Sequence, residues 1–124
     1  MNVIVCGSRS FNNYSTLCDA LDDFLQQFPN EQICIVSGCA RGADALAIQY
    51  AEERNLHLLR FPANWKRYGR SAGMVRNGQM LNVADACFAF HDGESRGTAQ
   101  MLRISRAKGI PTEVYYFANQ LGVF

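Results

Sequence analysis

Three apolar runs, "VIVC" (3–6), "ICIV" (33–36) and "ACFAF" (86–90), are each followed at once by polar, glycine-containing sequence. Continuous rather than alternating apolarity marks a strand buried on both faces, which needs a covering layer on either side. Two weaker runs of the same character, "LHLLRF" (56–61) and "TEVYYF" (112–117), complete a set of five candidate strands. Helical patterns lie between them. In "YSTLCDALDDFLQQF", Leu17, Leu21, Phe24 and Phe28 recur at spacings of three and four, and Leu25 widens the stripe; Ser15 is the candidate cap and Pro29 the stop. In "GADALAIQYAEERN", Ala43, Leu46, Ala47, Tyr50 and Ala51 share one face. A third helix is predicted over Ala72–Val83 and a fourth over Thr98–Ala107, closed by Gly109 and Pro111. Strands alternating with helices imply parallel pairing, because each parallel connection needs a crossover, and the crossovers are right-handed. The expected class is α/β, a mostly parallel sheet between two layers of helices.

With 124 residues the chain is long enough for one real core, so a single domain over 1–124 is expected. Its 48% apolar and 19% charged residues exclude a disordered chain. No apolar run approaches the roughly 18 to 20 residues of a spanning helix, and "MNVIVCGSRS" is too short, and lacks the basic start, for a secretory signal. A cytoplasmic protein without membrane contact is expected. The cysteines, Cys6, Cys18, Cys34, Cys39 and Cys87, are odd in number, lie mostly in apolar runs and form no C-x-x-C pair, which predicts reduced thiols rather than disulfides or zinc. His57 and His91 are far apart, so no metal site is expected.

In an open parallel sheet, ligands bind beyond the carboxyl ends of the strands. Those ends carry "GSRSF" (7–11), "SGCARGAD" (37–44), "FPANWKRYGRSAGMVRNGQM" (61–80) and "HDGESRGT" (91–98). In "SGCARGAD", Gly38 and Gly42 permit positive φ or close backbone approach, and the helix that follows offers unpaired N–H groups to an anion. The loop is neither a Walker lysine loop nor G-x-G-x-x-G, and a tight strand-to-helix turn with Arg41 solvated and Asp44 capping the helix explains the same residues. "HDGESRGT" repeats the design, with Gly93 and Gly97 around a polar turn and Thr98 at the start of a helix. Gly7, Ser8 and Arg9 end the first strand, where amides and a guanidinium reach a ribose or phosphate.

The 61–80 stretch interleaves Trp65 and Tyr68 with Lys66, Arg67, Arg70 and Arg76, and no Asp or Glu occurs between Glu53 and Asp85. Aromatic faces beside guanidinium groups suit a purine nucleotide or a single nucleic-acid strand. Aromatic plugs under a solvated charge face are the alternative.

Taken in order, "GSRSF", "SGCARGADALA", "PANWKRYGRSAGMVRNGQM" and "DGESRGTAQML" resemble the SLOG superfamily of Rossmann-like nucleotide-binding proteins, in particular its YspA-like branch, over roughly Val3 to Val114. The middle motif, with Trp65, Tyr68, Gly69, Ala72, Gly73, Arg76 and Asn77, is the most specific part. The resemblance implies a Rossmann-like three-layer αβα sandwich. It also implies a ligand pocket at Gly7, Ser8 and Arg9, at Ser37, Gly38, Arg41, Gly42 and Asp44, and at Gly93, Gly97 and Thr98. Relatives include the lonely-guy phosphoribohydrolases, the DNA-processing protein A domain and sensor domains for NAD-derived or ADP-ribose-type nucleotides. The hydrolases carry P-G-G-x-G-T-x-x-E, and aligning its G-T with Gly97 and Thr98 puts Met101 where their glutamate stands, which removes that acid–base group.

The expected function is binding of a nucleotide of the NAD or ADP-ribose kind by a sensor or sequestering protein that needs no other cofactor. Arg9, Arg41 and Arg76 would neutralise phosphate, Trp65 or Tyr68 would cover the base, and Asn77 is counted with the ligand-binding residues. The alternatives are an N-glycosidic hydrolase using Asp44, Asp92 or Glu94, and, below it, a single-strand nucleic-acid binder through Arg60 to Arg76. The apolar end "YYFANQLGVF" is a candidate for self-association or for docking within one monomer.

Overall fold

The computed structural model describes residues 1–118. Five strands, β1 (Asn2–Gly7), β2 (Cys34–Ser37), β3 (His57–Arg60), β4 (Ala86–His91) and β5 (Thr112–Tyr116), form one parallel sheet in the order β3-β2-β1-β4-β5. Ile4 pairs with Val36 on one side and Cys87 on the other, so β1 lies at the centre. The connections carry α1 (Tyr14–Leu25), α2 (Ala43–Glu53), α3 (Trp65–Tyr68), α4 (Ala72–Val83) and α5 (Arg96–Lys108), with a 3₁₀ turn at Gly69–Ser71 between α3 and α4.

Alternate β1 side chains enter two cores. Val3 and Val5 join Ile35, Phe88 and Phe90 under Leu17, Leu21 and Phe24 of α1 and Ala47, Tyr50 and Ala51 of α2. Ile4 and Cys6 join Val36, Cys87 and Ala89 under Met80 of α4 and Met101 and Leu102 of α5. The chain is thus the expected three-layer α/β/α sandwich, and the double burial of β1 and β4 explains why their runs show no alternation. β3 and β5 lie at the sheet edges and expose much of their length, which is why their sequences carry the weaker signal.

Four boundaries differ from the sequence expectation. Asn13, not Ser15, caps α1, its Oδ1 accepting the Thr16 N–H at 3.0 Å. α1 ends at Leu25, ahead of Pro29, because Gln26, Gln27 and Phe28 tighten into bonds to Asp23, Phe24 and Leu25, three residues back. Ahead of the predicted helix at Ala72–Val83 stands one that was not predicted: Asn64 accepts from the Arg67 N–H at 3.1 Å and starts α3, so Trp65 and Tyr68 sit on a helical turn. α5 begins at Arg96 under a Ser95 cap, two residues before Thr98.

The cysteines are free thiols. Among the described residues no helix is long and apolar enough to cross a membrane. Tyr115 and Tyr116 are exposed on β5, and residues 119–124 of the apolar end lie outside the described residues.

Candidate functional site

Because β2 and β3 lie on one side of β1 and β4 and β5 on the other, the strand order reverses between β1 and β4. A crevice opens at the carboxyl end of such a junction. Hydrogen bonds tie its rims together. The Ser8 N–H donates to the Phe90 carbonyl at 2.9 Å, and the Ser8 Oγ accepts the Asp92 N–H at 3.0 Å, which joins the loops after β1 and β4. Gly42 joins the loops after β1 and β2: it has φ +78°, and a Cβ there would lie 2.5 Å from the Ser8 carbonyl oxygen and 2.6 Å from that of Arg9.

The loop after β2 is braced from within. The Ser37 hydroxyl donates to the Asp44 carbonyl at 2.9 Å and accepts the Cys39 N–H at 3.2 Å. The Asp44 carboxylate accepts the Ala40 N–H at 3.2 Å. Asp44 is 4% exposed, and burial raises its pKa from 3.8 to about 6 even though Arg76, the Ala40 N–H and Arg9 all pull it down. Arg76 crosses from α4 to this loop, donating through Nη1 to the Gly38 carbonyl and through Nε to the Asn77 Oδ1 at 3.2 Å. Asn77 in turn donates through Nδ2 to the Gly97 carbonyl at 3.2 Å and to Gln100 at 2.7 Å. One chain of bonds therefore spans the loop after β2, α4 and the first turn of α5.

The loop after β4 prepares the start of α5. The Asp92 Oδ1 accepts the N–H groups of Glu94 at 2.8 Å and Ser95 at 2.9 Å, a side-chain-closed turn in which Gly93 supplies φ +90°. The Ser95 Oγ accepts the Thr98 N–H at 3.3 Å and shares a 2.9 Å bond with the Thr98 hydroxyl. No acceptor among the described residues takes the N–H groups of Arg96 and Gly97. They carry the positive end of a 13-residue helix. A Cβ at Gly97 would meet nothing within 4 Å, so this backbone lies open to an approaching atom.

Together these elements enclose a cleft of about 710 Å³, within the range of small-molecule sites. Gly7, Ser8 and Arg9 line it from the end of β1 and the loop after it, Arg41 and Asp44 from the loop and helix after β2. Trp65, Arg76 and Asn77 line it from α3 and α4, and Asp92, Gly97 and Thr98 from the far rim. A smaller hollow of about 350 Å³ adjoins it, and Gly38 lines only that one. Ser37 and Gly42 brace the wall from behind, while Tyr68, Gly93 and Glu94 line neither hollow. Tyr68 lies under the Arg67 guanidinium, 5.2 Å from ring centroid to Cζ.

Sequence reasoning passed over Ser95, Met74 and Ala40, which also line the cleft. Ser95 was findable as a serine three residues ahead of Thr98, an N-cap spacing. Met74 is 58% exposed and Trp65 is 53% exposed at the cleft, with no sequence signal to join them. Cys6 lines the cleft too, but its hydrogen bond with Cys87, and after it burial, push its thiol well up, which keeps it protonated and unreactive. His91 is buried and accepts the Gly93 N–H at 3.2 Å, while His57 is exposed. Among the described residues no group of three His, Cys, Asp or Glu side chains could hold a metal ion.

The family described as "YspA, cpYpsA-related SLOG family" matches residues 1–68, which carry β1, the loop after β2 and α3. The chain is also similar to the "Gene 61 protein" of Mycobacterium phage D29, at 37% identity over 115 residues covering 88% of this chain and 91% of that protein. No solved structure matches the chain.

Proposed function

We propose, because this chain belongs to the YspA, cpYpsA-related SLOG family, that its cleft binds a phosphate-bearing nucleotide or nucleotide derivative of the NAD or ADP-ribose kind. The observation that carries the reading is the open first turn of α5: Arg96 and Gly97 keep their N–H groups, and Gly97 borders the cleft with nothing within 4 Å of where a Cβ would stand. Arg9, Arg41 and Arg76 line the same cleft, and none of them forms a salt bridge among the described residues. Trp65 offers an exposed ring to a base, and Asp44 braces the wall. Met101, at the cleft where the resembling hydrolases carry their glutamate, supplies no acid–base group, and we assign the protein to sensing or sequestering its ligand. Equilibrium titration with adenine nucleotides tests the reading: wild-type protein binds, and Gly97→Val binds at least tenfold more weakly. Equal binding by both proteins would remove α5 from the site.

A second reading, hydrolysis of an N-glycosidic bond, is favoured by one observation. Asp44 is a buried carboxylate at the cleft whose pKa of about 6 suits proton transfer near neutrality. Asp92 also borders the cleft, whereas Glu94 is exposed outside it and Met101 lines it without acid–base chemistry. Chromatography for free base after incubation with nucleoside monophosphates, NAD and ADP-ribose decides it; measurable binding with no base released rules it out.

Single-strand binding through Arg60 to Arg76 ranks lower because those charges point apart. Arg60 pairs with Glu52 at 3.2 Å, Arg67 lies over Tyr68, and Arg76 turns inward to Gly38. Self-association would show as a dimer mass in solution.

A further inference from the structure

The sheet ends at β5, which pairs with β4 alone, from Cys87 opposite Thr112 to His91 opposite Tyr116. Two bonds fix which of its backbone groups face inward: the Cys87 N–H donates to the Pro111 carbonyl at 2.9 Å, and the Phe117 N–H donates to the His91 carbonyl at 3.0 Å. In a parallel ladder the N–H and carbonyl of one residue point to the same side, and the side alternates along the strand. Glu113 and Tyr115 therefore face β4, while the N–H and carbonyl groups of Thr112, Val114 and Tyr116 point out of the sheet. No backbone partner takes them among the described residues.

An exposed edge is ordinarily guarded by charge, proline or a bulge. β5 has an unbroken register and no proline within it, and its one charge, Glu113, lies beside Gln27 at 3.4 Å. β3, the other edge, is a residue shorter; by the same alternation, set by the Phe61 N–H on the Ser37 carbonyl, its outward residues are Leu58 and Arg60. Arg60 guards that edge with a charge held to Glu52 at 3.2 Å.

The open pattern on β5 is complementary to itself. With a two-fold axis at Val114, Val114 exchanges two bonds with Val114 of a second copy running antiparallel, and Thr112 exchanges two with Tyr116 at either end. Every outward group is then matched. The same register sets Glu113 opposite Tyr115 of the other copy, a carboxylate facing a phenol that donates to it. An axis at Glu113 opposes two carboxylates, and an axis at Tyr115 sets Thr112 against Ala118, beyond the strand. The exposed Tyr115 and Tyr116 gain cover in the Val114 register.

We propose that two copies of this chain join through antiparallel β5 strands about a two-fold axis at Val114, continuing one sheet into the other. The pairing is independent of what the cleft binds. Because the strands run in opposite directions across the axis, the two clefts open at opposite ends of the joined sheet.

Two five-residue edges bury less than the roughly 1,200 Å² above which stable complexes lie, so the pair is a weak one. Sedimentation equilibrium on the full chain, from about 10 µM to about 1 mM, should show monomer passing to dimer. Val114→Pro removes the central N–H, which β4 does not use, and should weaken the dimer at least tenfold with the circular dichroism spectrum unchanged. Tyr115→Glu, opposite Glu113 of the other copy, should weaken it at least threefold at low salt, and Tyr115→Lys should tighten it by a similar factor. A monomer throughout the range, or a Val114→Pro protein that pairs as wild type does, overturns the proposal. So does a shift in the same direction for both Tyr115 variants, because only this register sets that side chain against Glu113. If Val114→Pro does not fold, the two Tyr115 variants decide the matter.

Discussion

The Arg76 guanidinium occupies the space in front of Gly38: its Nη1 bonds the Gly38 carbonyl at 2.5 Å, and a Cβ at position 38 would fall on that same nitrogen and 2.8 Å from the Asp44 carboxylate. The glycine is there to admit an arginine from another helix, so the loop after β2 presents a side-chain cation where its sequence suggested bare backbone. This arrangement couples the two hollows to α4 and α5 through Asn77.

Gly38→Val should therefore abolish nucleotide binding while the protein stays folded. The atoms to be displaced are the ends of the Arg76 and Asp44 side chains rather than backbone, so the fold gives way there at a cost of about 1–3 kcal/mol, the usual range for added volume in a packed site. The arginine, once moved, no longer stands where it lines both hollows. Titration beside a urea denaturation curve checks both halves; intact binding would mean that Arg76 does not touch the ligand.

Gly42 and Gly97 should separate cleanly in the opposite direction. Gly42→Ala forces a Cβ against two backbone carbonyls at a positive φ, and backbone cannot step aside as a side chain can. A loss of about 1–3 kcal/mol for the strained conformation, increased by the contact itself, is expected in denaturation. Gly97→Val meets open space in the first turn of α5, so its stability should stay within about 0.5 kcal/mol of wild type. Its loss appears in affinity alone.

Asp44 sets a pH dependence of unusual sign for a carboxylate. Its pKa is raised on folding from 3.8 to about 6, so between those values the folded state keeps a proton that the unfolded chain has lost. Its contribution to stability is most favourable below pH 3.8, falls as pH rises towards 6 and is level above; the two-unit span corresponds to about 3 kcal/mol. Asp44→Asn removes the titration and can still accept the Ala40 N–H. Urea midpoints from pH 4 to 8 should show the variant gaining on wild type as pH rises through that window and holding the gain beyond it. A constant difference across the series would mean that Asp44 is not buried as described.

The sequence carried the fold because burial on both faces leaves unbroken apolar runs, and Val3–Cys6 and Ala86–Phe90 have no polar interruption to blur them. It marked the rims of the cleft for a related reason: glycines and polar residues directly after a buried strand lie at the carboxyl edge of a parallel sheet. What it could not show is which amides of a loop stay open to the cleft. "SGCARGAD" and "HDGESRGT" look alike as strings, yet Ser37 and Asp44 take up amides of the first from inside, while in the second Asp92 and Ser95 leave the amides of Arg96 and Gly97 open. Tyr68 and Trp65 were equal candidates from composition, and only the turn of α3 puts one at the cleft and the other beneath Arg67. Such distinctions depend on contacts between residues as far apart as Arg76 and Gly38, which no local pattern encodes.

Trp65 gives the site its own reporter. It is the single tryptophan of the chain, it is 53% exposed, and it borders both hollows. A base laid on the indole changes its emission on binding, so fluorescence titration with an adenine nucleotide should saturate at the same constant that calorimetry gives. Trp65→Ala costs stability no more than about 1 kcal/mol, since about half of the residue is exposed, and it weakens a base-bearing ligand by about 1–3 kcal/mol, the range for a base stacked on an aromatic side chain. Inorganic pyrophosphate, which has no base, should bind the variant and wild type alike. If pyrophosphate binding falls as far as nucleotide binding, the indole is positioning the arginines of the cleft and not stacking on a base, and the assignment of the nucleoside to the cleft fails with it.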